Sequence, residues 1–142
     1  MHVGTIVRAL VGIALLCAGF AIAAGIDQPA LSGNSAFLLS AQQLKQQEDL
    51  ARNGNCDAAL KVSHYYSFGQ HKLAKALLWL RLAARCPNAN AKAELVYMLL
   101  QQPRQVDVAN EIDRLVAELK PIDAAQALAV EQEVNRSRAA AH

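Results

Sequence analysis

Residues 56–100 read CDAALKVSHYYSFGQHKLAKALLWLRLAARCPNANAKAELVYMLL, and this stretch decides the fold. Asn55 can cap a helix over Asp57–Phe68, with Asp57 favourable at its positive end. Ala58, Ala59, Val62, Tyr65 and Tyr66 form the inward face, and Gly69 ends the helix. A second helix is expected from His71 to Cys86. Stepping its residues by 100° each gathers Leu73, Ala76, Leu77, Leu80, Ala83 and Ala84 on one face. Lys75 and Arg85 lie opposite, with Lys72 and Arg81 on the flanks. Leu78 and Leu82 break the pattern by pointing into the charged side. Cys56 opens the first helix and Cys86 closes its antiparallel partner, so a hairpin sets the two thiols side by side. A structural disulfide is the expectation, and a reactive or metal-binding pair is the alternative.

Outward from this hairpin the periodicity stays helical. Asn34 or Ser35 can cap a helix over Ala36–Arg52, and Gly54 can end it in a left-handed cap. Pro87 stops the hairpin's second helix, and Asn88 or Asn90 can cap Ala91–Gln101, with Leu95, Met98 and Leu99 inward. Gln105–Lys120 is amphipathic, with Val106, Val108, Ala109, Ile112, Leu115, Val116 and Leu119 at helical spacing. Pro121 fits the first turn of a last helix, Ile122 to about Arg136, whose apolar set is Ala125, Leu128, Ala129 and Val134. No strand alternation occurs, and connections of two to four residues favour antiparallel neighbours. The expected fold is all-α, a stack of about six helices in hairpins over residues 35–138, with residues 139–142 frayed.

The chain's start reads differently. Arg8 gives a short basic lead to a 15-residue apolar run, Ala9–Ala23, which ends in Ala21-Ile22-Ala23. That is the plan of a secretory signal over residues 1–23, followed by a leader over 24–34 that contains Pro29 and Gly33. The run is shorter than the roughly 20 apolar residues a membrane span needs, although an uncleaved anchor is the alternative. Bulky Leu16 before Cys17 argues against a lipoprotein site. The expected location is periplasmic or secreted, with membrane contact only through the signal before cleavage. Cleavage leaves Cys56 and Cys86 as the two thiols and takes the net charge from +2 to +1, since Arg8 is the charge lost.

Charge is unevenly spread. Arg52–Arg104 holds eight basic residues against Asp57 and Glu94, whereas Gln105 to the end holds seven acids against four bases. Such asymmetry can steer an acidic partner, or the charges can pair within the fold. Nucleic acid is a poor fit to a near-neutral exported chain. His64 and His71 lack zinc-motif spacing, and Ser63 beside His64 has no third member to orient a base. Asp107, Glu111, Asp113 and Glu118 read as a solvated helix face, and Gly69 stands alone where a phosphate loop needs several glycines. Neither a catalytic set nor a cofactor is expected.

The hairpin resembles a Sel-one-like repeat, a relative of the tetratricopeptide repeats. Ala58, Val62, Ser63, Tyr66 and Gly69 match the repeat's first helix, and Ala76, Trp79, Ala83 and Ala84 match its second. Ala91, Leu95 and Leu99 look like the start of another repeat, and EIDRLVAELKPIDAAQALAVEQE, residues 111–133, is similar to the family's closing helix pair. The chain departs from the pattern in lacking a glycine-rich turn after Gly69 and in carrying Pro87 where a glycine is usual. One repeat is complete, so the flanking helices must cover its faces. The resemblance implies binding of another protein through a curved helical surface, in family members often exported. Short exported members also serve as immunity proteins that neutralise antibacterial toxins. A cell-envelope hydrolase would need a convergent acid, base or nucleophile. The expected partner contacts are Tyr65, Phe68, Lys72, Lys75, Leu78, Arg81, Leu82 and Arg85, an apolar pair ringed by positive charge that suits an acidic rim.

Overall fold

The connections decide where each helix begins. The computed structural model describes residues 35–140, all within one compact unit. The signal and the leader expected over residues 1–34 lie outside the described residues. A 3-10 turn at Ser35–Phe37 leads into α1 (Ala41–Arg52) and α2 (Cys56–His64), which a π-helical turn extends over Tyr65–Gly69. Then come α3 (Leu73–Ala83), α4 (Ala89–Leu100), α5 (Val106–Leu119) and α6 (Ala124–Ala139). The described residues contain no strand, and the all-α fold of six helices matches the sequence expectation.

Several boundaries differ from the periodicity reading, each for a local reason. α1 starts at Ala41 rather than Ala36 because Ser40 and Gln43 form a capping box. The Gln43 amide donates to Ser40 Oγ at 3.2 Å, and the Ser40 amide donates to Gln43 Oε1 at 2.9 Å. Neither Asn34 nor Ser35 is the cap of this helix. α3 starts at Leu73 rather than His71 because His71 takes a left-handed backbone, φ 51°, which interrupts the helix. α6 starts after Asp123, whose carboxylate accepts the Gln126 amide at 2.9 Å, so Pro121 lies in the turn before the helix. Asn55 and Asn88 cap α2 and α4 by accepting the Ala58 and Ala91 amides.

Gly54 joins α1 to α2 at φ +92°, a conformation that only glycine adopts without strain. A Cβ there would meet nothing within 4 Å, so Gly54→Ala isolates the backbone cost. The expected loss is about 1 kcal/mol, read as a lowered urea midpoint with an unchanged slope.

Consecutive helices pack as antiparallel hairpins, and α4 also packs on α6. The links between alternate helices place them in two rows. In one row, the Arg52 guanidinium of α1 lies 5.5 Å from the centre of the Trp79 ring of α3, and Arg81 of α3 pairs with Glu111 of α5. In the other, His64 of α2 bonds Glu94 of α4, and the Gln126 amide of α6 donates to Asn90 of α4. Between the rows lies the core. Leu80, Leu95, Leu99, Leu115, Leu119, Val62, Val96 and Val130 are fully buried, and Ala51, Ala59, Ala76, Ala83 and Ala91 let the helices approach closely.

The α6 face differs from the expected one. Ala127, Val130 and Val134 are buried, whereas Ala125, Leu128 and Ala129 are exposed. Apolar residues stand on both sides of this helix, so their spacing does not single out the inward side. Val106 and Leu73, also expected inward, sit in the first turns of α5 and α3 and are largely exposed.

Candidate binding surface

Cys56 and Cys86 are bonded, with their Cα atoms 6.3 Å apart, so the thiols meet at the open end of the α2–α3 hairpin as expected. The bond ties the first residue of α2 to the turn just after α3. It leaves the outward side of α3 free to carry other groups.

The eight expected partner contacts divide into two places. Phe68 packs with the rings before and beside it. Its ring lies 4.9 Å from Phe37 and 5.5 Å from His64, and His64 Nε2 is 2.8 Å from Glu94 Oε2 of α4. This places Phe68 beside the Ser35–Phe37 turn and α2. Phe68 belongs to the π-helical turn, whose residue spacing differs from that of the helix before it. Tyr65 is half-buried against Tyr66 in the same turn. Tyr66 itself is a tie between helices: its hydroxyl donates to Glu48 Oε1 of α1 at 3.0 Å. Burial, then the bond to Glu48, pushes its phenol above the usual range.

The other contacts lie on or beside α3. Leu78 is 66% exposed, the most open large apolar side chain of that helix. Leu82, expected to pair with it at the surface, is instead half-buried against the core. Its carbonyl lies 3.9 Å from Cys56 Sγ, so the disulfide end of α2 approaches it. Lys75 Nζ stands 5.3 Å from the centre of the Tyr66 ring, an attractive position for a cation. Lys72 and Arg85 are exposed, and their side chains have no hydrogen-bond or ion-pair partner among the described residues. Arg81 is not free: its Nε and Nη2 donate to Glu111 of α5 at 2.9 and 2.8 Å, a two-point pair. The hydrogen bond to Glu111 holds its guanidinium above the usual range, against burial.

That pair opens a second feature, a groove of about 440 Å³ between α3 and α5. Arg81 and Arg85 line one side, Glu111, Arg114 and Glu118 the other, with Leu95 of α4 at the floor. Behind it Lys92, only 4% exposed, donates from Nζ to the Ala84 carbonyl and to Glu118 Oε2, both at 2.6 Å. Arg114 Nη1 donates to the other oxygen, Glu118 Oε1, at 2.6 Å. The bond from Lys92 is the main reason the Glu118 carboxyl lies below its usual range, with Arg114 adding to it and burial opposing.

Sequence reasoning took Glu111 and Glu118 as solvated and passed over Lys92 and Arg114. A partial signal existed: Arg114 precedes Glu118 by four residues, which is pairing distance on a helix. Lys92 is the one basic residue of a largely apolar helix. Among the described residues, no three histidine, cysteine or acidic side chains gather closely enough to hold a metal ion, and no helix is long and apolar enough to cross a membrane. Comparison with protein-family models, with curated proteins and with solved structures found no match to this chain.

Proposed function

We propose that this chain is an exported helical-repeat module that binds another protein through the outward side of α3, with Leu78 at the centre of the contact. The observation that carries the reading is Leu78 itself. A leucine left 66% exposed between the positions of Lys75 and Arg85, on a helix whose Ala76, Leu77, Leu80 and Ala83 are buried, offers apolar area with a basic border. Covering such a side chain releases about 1.5–3 kcal/mol, and basic groups at the margin select an acidic rim on the partner. The bonded cysteines support export, because disulfides persist in oxidising compartments. The resemblance of the α2–α3 stretch to a Sel-one-like repeat agrees with this reading, because protein binding is the common use of such repeats.

The test is capture of a partner from envelope extract by the chain without residues 1–23. Leu78→Asp is expected to remove the captured protein while the helical circular-dichroism signal stays, since this side chain fills no core space. Equal capture by Leu78→Asp would overturn the reading. In its narrower form, an immunity protein, the captured protein is a toxin enzyme encoded beside this chain, and its activity falls on binding. Capture of an envelope protein with no such activity restricts the function to that of an adaptor.

A further inference from the structure

The groove between α3 and α5 has carboxylates whose donors are already assigned and cations that still lack acceptors. Glu111 is held by Arg81 at two points. Glu118 takes Lys92 on one oxygen and Arg114 on the other. Four cationic groups, Arg81, Arg85, Lys92 and Arg114, thus stand against Glu111, Glu118 and, one turn before Glu111 and acting on Arg81, Asp107. The Arg85 side chain has no acceptor among the described residues. Arg114 contributes only Nη1 to Glu118, so the rest of its fork is unused. An entering anion meets this surplus of positive charge and free N–H donors above a floor that Leu95 and Leu115 close to water.

We infer that this groove receives the carboxylate side chains of an acidic segment of the partner protein, with Arg85 and Arg114 as its two receiving groups. The surplus of one positive charge matches one carboxylate, and an arginine fork takes a carboxylate by two parallel hydrogen bonds, as Arg81 already does with Glu111. The groove also adjoins the surface around Leu78, because Arg81 lies one turn beyond it on α3. One partner can therefore cover both. The inference rests on the protein-binding reading above and specifies what the partner presents.

The direct test is fluorescence anisotropy with a labelled glutamate-rich peptide and its glutamine counterpart, added to the chain without residues 1–23. The glutamate peptide is expected to bind at low salt and weaken as salt rises, with the glutamine peptide at least about tenfold weaker. Arg85→Glu is expected to cost at least about tenfold and Arg114→Gln somewhat less, because it removes a positive charge where Arg85→Glu reverses one. Arg136→Glu on α6 changes the net charge as much as Arg85→Glu does and is expected to cost less than about twofold. Absence of glutamate-peptide binding at low salt would overturn the inference, as would equal losses in Arg85→Glu and Arg136→Glu. Displacement by millimolar inorganic phosphate would reassign the groove to a small anion. The two readings fail separately. Capture that depends on Leu78 while Arg85→Glu leaves peptide binding unchanged removes only the groove, whereas capture indifferent to Leu78 removes the wider reading whatever the peptide does.

Discussion

The chain carrying Cys56→Ser and Cys86→Ser is expected to unfold about 15–25 °C below the parent. The bond closes a loop whose ends are 30 residues apart, and that loop is the whole α2–α3 hairpin. In the chain-entropy view, closing a loop of this length removes freedom from the unfolded chain worth about 3–4 kcal/mol. For a domain near 100 residues, each kcal/mol moves the midpoint by about 4–8 °C. The folded state should change little. Val62, Leu77 and Leu80 hold the hairpin from inside, and Asn55 still caps α2. The variant is therefore expected to keep its helical signal at low temperature and lose it early on heating. Adding reductant to the parent should bring its melting curve onto that of the variant. Coincident curves for parent and variant under oxidising conditions would show that the bond contributes nothing to stability.

This staple was legible in the sequence because it depends on topology alone: one cysteine begins a helix, and the other ends the helix that returns beside it. The number of helices was legible for a related reason, since Asn55, Asn88 and the prolines punctuate long apolar-periodic runs. Placing a boundary to the residue needed more. The α1 start depends on which of several polar residues wins the cap, and Ser40 wins because Gln43 returns the bond. The inward side of α6 depends on what α4 and α5 offer it, because alanine, leucine and valine stand on more than one side of the helix.

The binding surface was legible only in part, and the reason is electrostatic. A leucine out of phase with its helix is a property of that helix alone, and Leu78 is exposed where periodicity placed it. Which charges remain free depends on other helices. Arg81 and Glu111 are 30 positions apart and meet because α3 and α5 lie in one row. Arg81 thereby leaves the set of free cations, and Arg114 joins the candidate site without any motif to announce it. Phe68 meets Phe37 and His64 from within a π-helical turn, which has no simple signature in the apolar spacing.

The buried pair Lys92–Glu118 has the second large effect, and the two ends of the pair are not equivalent. Glu118→Gln strands an ammonium that is 4% exposed with the Ala84 carbonyl as its remaining partner. Removing one member of a buried pair commonly costs about 3–5 kcal/mol. The Glu118 side chain is 38% exposed, so water can approach the lysine once the carboxylate is gone. The expected cost at neutral pH is therefore about 2 kcal/mol, measured by urea unfolding. Lys92→Met removes the need for desolvation instead. It leaves Glu118 with Arg114 and the solvent, and is expected to be within about 1 kcal/mol of the parent or more stable.

The same asymmetry predicts a pH response. The Glu118 carboxyl is lowered in the folded chain, chiefly by Lys92, from the usual 4.5. A lowered carboxyl contributes stability that is present in full above its unfolded value and is lost as pH falls through the folded one. The gap between parent and Glu118→Gln should hold constant from neutral pH down to the ordinary glutamate range and narrow below it. In the Lys92→Met background the Glu118→Gln substitution should cost much less, because no stranded ammonium remains. A full cost for Glu118→Gln in that background would mean that Arg114, and not the buried lysine, is what gives Glu118 its weight in the fold.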